Sequence, residues 1–138
     1  MWSKLYLAQD VILSVLKVNC PFKTGNLSKS INAENERLFI TIGDDTVQYA
    51  PYTNESWDNF QPPLKGHTNP NEGWINRALE IALPIVESLL QGSITEAEAE
   101  EIVHSNNAIW QAKLDKAAEK REAKARTLRD LKYGINII

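Results

Sequence analysis

Trp2, Leu5, Tyr6, Gln9, Ile12, Leu13 and Leu16 recur at three- and four-residue intervals, which predicts an amphipathic helix over residues 2–18. Val11, Val15 and Val18 widen its apolar face, so the helix is expected to be covered on more than one side. Pro21 ends it, and Cys20 before the proline is biased toward extended backbone. From Leu27 the period changes. Ser28–Glu34 reads as a strand, Asn35 and Glu36 as a turn, and residues 37–42 as a second strand. Leu38, Ile40 and Ile42 share one face of that strand, with Phe39 and Thr41 on the other. Gly43-Asp44-Asp45 is a turn signal, and Thr46–Ala50 supplies a third strand that stops at Pro51. Three antiparallel strands against the first helix make a workable core, since a lone hairpin is marginal in water.

Residues 53–69 read as a long loop with Asn54, Asn59, Pro62, Pro63, Gly66 and Asn69. Trp57 and Phe60 inside it are costly to leave in water, so they are expected to dock on their own subunit or on a neighbour. Asn69-Pro70-Asn71-Glu72 has the form of a helix start, with Asn69 and Glu72 as a capping box and Pro70 at the first helical position. Trp74, Ile75, Ala78, Leu79, Ala82, Ile85, Val86 and Leu89 then trace one face to about Gln91. Pro84 is expected to kink this helix or leave a backbone group unpaired, and Gly92 to end it. Ser93 with Glu96 reads as another capping box for a short helix to about His104. Asn106-Asn107 interrupts, and residues 108–132 have long-helix composition. The expectation is an α+β fold: a small antiparallel sheet of three or four strands packed between an N-terminal helix and a kinked helix, with a C-terminal helical extension. The first unit spans residues 1–91 and the extension 92–138.

Wound at about 100° per residue, the last helix sorts into three faces. Trp110, Leu114, Ala117, Ala118, Ala125 and Leu128 are apolar; Asp115, Glu119, Glu122 and Asp130 are acidic; Lys113, Lys116, Lys120 and Lys124 form a basic stripe. A solvated helix gains from opposite charges three or four residues apart, whereas these neighbours are alike. Two readings stand side by side: an ordinary charged surface, or a helix packed against copies of itself, acidic flank to basic flank, as in a ring. Nucleic-acid binding by the lysines is the weaker third, because the adjacent acidic flank repels phosphate.

Length and composition narrow the class. The 138 residues suit one domain with at most an appendage, and 43% hydrophobic residues suit a globular chain. A net charge of −3 argues against a nucleic-acid wrapper or a membrane-surface binder. Lys4, Gln9, Asp10 and Lys17 interrupt the N-terminal apolar run, so no membrane span is expected there. One cysteine, Cys20, excludes an internal disulfide and reads as a structural thiol. His67 and His104 have neither metal-like spacing nor an evident partner, and His104 reads as a residue near a helix C-terminus. The acidic run Glu96, Glu98, Glu100 and Glu101 suits the first turns of a helix better than a metal. No phosphate-binding loop, catalytic constellation, cofactor or metal site is expected, and an enzyme is not the reading.

Pro21, Thr24, Gly25, Leu27, Ser30 and Ile31 match a Pro-x-x-Thr-Gly-x-Leu-x-x-Ser-Ile signature. The Ile40–Gly43 strand end follows, then Tyr49, Ala50 and Tyr52 leading to Glu55, then Asn69-Pro70-Asn71, with Trp74 and Ala78 as helix anchors. In this order the chain resembles bacteriophage tail-completion, neck and minor-capsid proteins over residues 1–91. Ser56 and Trp57 after Glu55 depart from that pattern, which often has glycine there, and residues 93–138 have no counterpart in it. The resemblance implies a small structural subunit of the virion, made in the host cytoplasm, that assembles with copies of itself, often as a ring. Its implied partners are connector or adaptor, tail-terminator or tail-tube proteins. A minor capsid protein is the alternative within that class, and a regulatory adaptor binding a protein through its charged helix is the alternative outside it. Gly25 after Thr24 permits the sharp turn that starts the sheet. Tyr52 and Trp57 have the side-chain types enriched at interfaces, while Tyr49 suits sheet packing slightly better than contact.

Overall fold

The first apolar repeat folds as α1 (Trp2–Asn19), and its double-sided apolar face makes it the hub of the molecule. The computed structural model describes residues 2–34, 38–57 and 67–133. After α1 come a one-turn α2 (Asn26–Lys29), strands β1 (Asn32–Glu34) and β2 (Phe39–Thr41), a 3-10 turn (Ala50–Thr53), α3 (Trp74–Gln91) and α4 (Glu96–Tyr133). α3 and α4 both pack chiefly on α1 and only slightly on each other. Val11, Val15 and Leu16 of α1 meet Trp74, Ala78, Ala82 and Leu89 of α3 and Ala99 of α4 in one buried cluster. The alanines carry little bulk, which lets helix axes approach closely.

The α+β class holds in its broad form: a mostly helical chain with a small antiparallel sheet. Among the described residues that sheet has two strands, paired Asn32 with Thr41, Ala33 with Ile40 and Glu34 with Phe39. It rests on α1, where Gln9 Nε2 donates to the Phe39 carbonyl at 3.2 Å. The sheet is therefore not the layer between two helices; α1 holds that place.

Two predicted strand segments fold otherwise, for local reasons. Ser28 and Ser30 turn their hydroxyls onto the carbonyls of Gly25 (2.8 Å) and Leu27 (2.6 Å), closing α2 where a strand was expected. At Thr46–Ala50, Asp44 Oδ1 accepts from Thr46 N (2.9 Å), Thr46 Oγ1 (2.6 Å) and Val47 N (3.0 Å), so the chain coils into turns. Those bonds also hold the Asp44 carboxyl below its usual range. The Asn35–Glu36 turn lies outside the described residues.

α3 and α4 start and run differently from the sequence pattern. α3 begins at Trp74, behind Gly73 in the left-handed region, so Asn69 and Glu72 do not cap it. Its cap is Asn54, whose Oδ1 accepts from Ile75 N at 3.0 Å while its carbonyl accepts from Gly73 N at 2.9 Å. The helix continues through the exposed Pro84 and closes at Gly92, with Ser93 N donating back to the Ser88 carbonyl at 2.8 Å. With Ser93 used there, the capping box shifts to Thr95 and Glu98: Glu98 N donates to Thr95 Oγ1 at 3.1 Å, and Thr95 N to Glu98 Oε1 at 3.4 Å.

α4 is one helix of 38 residues, unbroken at Asn106-Asn107. At 1.5 Å per residue it is about 57 Å long, against about 27 Å for α1. α1 can therefore cover only half of it. Ala99 and Ala117 mark the buried stretch, and every side chain from Ala118 to Arg129 is exposed. The first half of α4 packs on α1, and only the second half projects.

Candidate assembly surface

Three stitches fasten the first half of α4 to the N-terminal elements, at the helical spacing of Asn106, Trp110 and Lys113. Asn106 Nδ2 donates to Ser14 Oγ at 3.2 Å, Trp110 Nε1 to Ser28 Oγ at 2.8 Å, and Lys113 Nζ to the Val18 carbonyl at 2.7 Å. Lys17 lies 4.2 Å from the Trp110 ring centre, a cation–π contact. Burial there lowers the Lys17 pKa. Lys113 thus caps the Val18 carbonyl at the C-terminal end of α1.

Beside these stitches lies the Thr24-Gly25 turn. Gly25 has φ +89°, and a Cβ built on it would stand 2.6 Å from Leu114 Cδ2 and 3.0 Å from Phe22 Cζ. The left-handed backbone favours glycine here, and a side chain would in addition push the tip of Leu114 away. Thr24 Oγ1 accepts from Asn26 N at 3.4 Å. Cys20 is buried nearby, its Sγ donating to the Pro21 carbonyl at 3.3 Å. Burial pushes its thiol up to about 12, with Lys113 offsetting part of the rise. Such a thiol carries little thiolate at neutral pH.

Asn69 is buried and acts as a clamp. Its Nδ2 reaches the carbonyls of Glu55 (2.7 Å), Thr53 (2.9 Å) and Tyr52 (3.4 Å), while Oδ1 accepts from Asn71 N at 2.9 Å. Trp74 Nε1 adds a bond to Thr53 Oγ1 at 2.9 Å. The 50–57 segment is thereby fixed to the start of α3. On it, Tyr52 is 51% exposed, and the half-buried Trp57 folds back, its Nε1 donating to the Tyr52 carbonyl at 3.0 Å. Trp57 therefore finds a partner in its own chain. Phe60 lies outside the described residues. Tyr49 is 46% exposed and belongs to no strand.

Lys116, Lys120 and Lys124 are exposed along α4, as are Asp115, Glu119 and Glu122; Asp115 Oδ1 accepts from Gln111 Nε2 at 3.0 Å. A shallow groove of about 230 Å³, lined by Phe22, Lys23, Lys113, Lys116, Ala117 and Lys120, adds Lys23 to the basic surface. Helical periodicity could not place Lys23 there, because it lies on a different segment. Beyond the groove, Leu128 and Leu131 are 58% and 69% exposed. His104 is exposed in mid-helix, since α4 runs on past it. His67 is also exposed.

A cleft of about 570 Å³ lies between residues 21–27 and Tyr49, Thr53 and Asn71. Among the described residues its lining holds one amine, Lys23, and no carboxylate, imidazole or thiol. Among the described residues no group of three or more metal-ligating side chains is gathered, and no helix is long and apolar enough to cross a membrane. No protein-family model, curated protein or solved structure matches the chain.

Proposed function

We propose that this chain is a structural subunit of a tailed bacteriophage particle, a tail-completion or neck protein that joins the head connector to the tail and assembles with copies of itself. The observation that carries the assembly reading is the projecting half of α4. A helix of this length without tertiary contacts is marginal in water. This one also shows two exposed leucines and lysines sorted away from carboxylates. Such a surface is completed by packing on another subunit. The phage role rests on the ordered matches from Pro21 to Ala78.

The proposed mechanism is geometric. α1, α3 and the first half of α4 form a rigid wedge, and the clamped Tyr52–Trp57 edge and the α4 projection touch neighbours. In a ring, Lys116, Lys120 and Lys124 of each copy face Asp115, Glu119 and Glu122 of the next. A sheet of three or four strands would form on assembly if a neighbour lends a strand to the open edge of β1–β2. Mass spectrometry of purified particles should find the chain, and K116E/K120E/K124E should abolish its incorporation while leaving the monomer folded. Particles that lack the wild-type chain, or take up the triple variant normally, would overturn the proposal.

A further inference from the structure

The charge of α4 is sorted along its length as well as around it. Glu98, Ile109, Lys120 and Leu131 are eleven residues apart, a spacing that keeps them within about 20° of one another per interval on a straight helix. The stripe they define stands to one side of the α1-facing residues Ala99 and Ala117. Its N-terminal half holds Glu98, Glu101, Ile102 and Ser105 around a shallow depression, and Ile109 is 48% exposed. No lysine or arginine occurs between Glu96 and Ala112. The C-terminal half presents Lys116, Lys120 and Lys124, all exposed.

We infer that, outside the particle, two copies pair through α4 in antiparallel orientation about a two-fold axis near Gln111. In that register Glu98 of each copy faces Lys124 of the other, and Glu101 faces Lys120. The projection of each copy then lies along the packed half of the other. Leu131 reaches the second copy's α3–α4 corner, where Leu90 is exposed. Parallel pairing in register is disfavoured, because it would set carboxylates on carboxylates and ammonium groups on ammonium groups. The occupant is a second copy because this chain itself carries the complementary half-stripe at the matching distance.

The pair uses the same lysines that a ring would use, and a polar head–tail ring has no two-fold axes across its plane. Pairing and ring formation therefore exclude each other, so the pair is a reserve form that docking must open. That role rests on the virion proposal; the pair itself does not.

Sedimentation equilibrium of the full chain tests it. The wild type should show a monomer–dimer equilibrium that weakens as salt rises. E98Q/E101K and K120E/K124E should each weaken the dimer by about tenfold or more. An equimolar mixture of the two should restore it, because the contacts between positions 101 and 120 are then attractive in both directions and no like charges face each other. The glutamine of E98Q keeps the capping-box chemistry with Thr95, and circular dichroism checks that both variants stay folded. A wild type that is monomeric throughout, a dimer indifferent to both variants, or no rescue on mixing would overturn the pairing. None of these results bears on whether the chain is present in particles, so the two proposals fail separately.

Discussion

Gly25 answers two demands at once: a φ of +89° and a contact surface against the tip of Leu114, where a methyl group would sit 2.6 Å from Cδ2 unless that side chain shifted. The left-handed backbone costs a residue with a Cβ about 1–2 kcal/mol, and overpacking typically adds about 1–3 kcal/mol. Gly25→Ala should therefore lose about 2–5 kcal/mol, measured by urea unfolding with circular dichroism. Leu114→Ala in the same chain should recover the packing part and leave the backbone part, so the two substitutions should couple. Independent, additive losses would show that α4 does not press on this turn. The turn itself was legible from Gly25, although it opens α2 and not the sheet. The contact with Leu114, far along the chain, was not, since no local pattern encodes it. Asn69 shows a related limit: an asparagine amide suits a helix cap and a carbonyl clamp equally, and only the position of the 52–55 carbonyls decides.

At the scale of elements, the strongly periodic helices α1 and α3 were readable, whereas the turns at Thr46–Ala50 and the continuity of α4 through Asn106-Asn107 were not. Thr46–Ala50 has strand-forming residues, but Asp44 captures the N–H groups of Thr46 and Val47 before any partner strand can. Asn106 weakens a helix in isolation, yet here it faces inward and bonds Ser14, so a tertiary contact overrides propensity. The attachment of α4 thus depends on its stitches, of which Trp110 makes two kinds. Trp110→Phe removes the bond to Ser28 Oγ, worth about 0.5–1.5 kcal/mol, and weakens the contact with Lys17 by a further fraction of about 1 kcal/mol. A total loss of about 1–2 kcal/mol is expected in chemical denaturation. Lys17→Met should cost less in the W110F background than in the wild type. Equal costs in both backgrounds would mean that the cation–π geometry contributes nothing.

For the whole molecule, the decisive feature is that one helix belongs to two environments. Between Ala99 and Ala117 its amides lie over α1 in a shared core, so their opening should approach the global unfolding free energy. From Ala118 onward no described side chain is buried, and the helix is held only by its own hydrogen bonds and by continuity with the packed half. Hydrogen exchange on the dilute monomer should therefore show a steep gradient: slow amides up to about residue 117, and fast ones over residues 121–131. Raising the concentration, or adding the assembled partner, should slow the second set and leave the first almost unchanged, because the packed half already draws its protection from the core. The size of that added protection measures the association directly, independent of any assumption about ring or pair. If residues 121–131 were as protected in the monomer as 99–117, the projection would be stable by itself. The physical reason for assigning it a partner would then be gone.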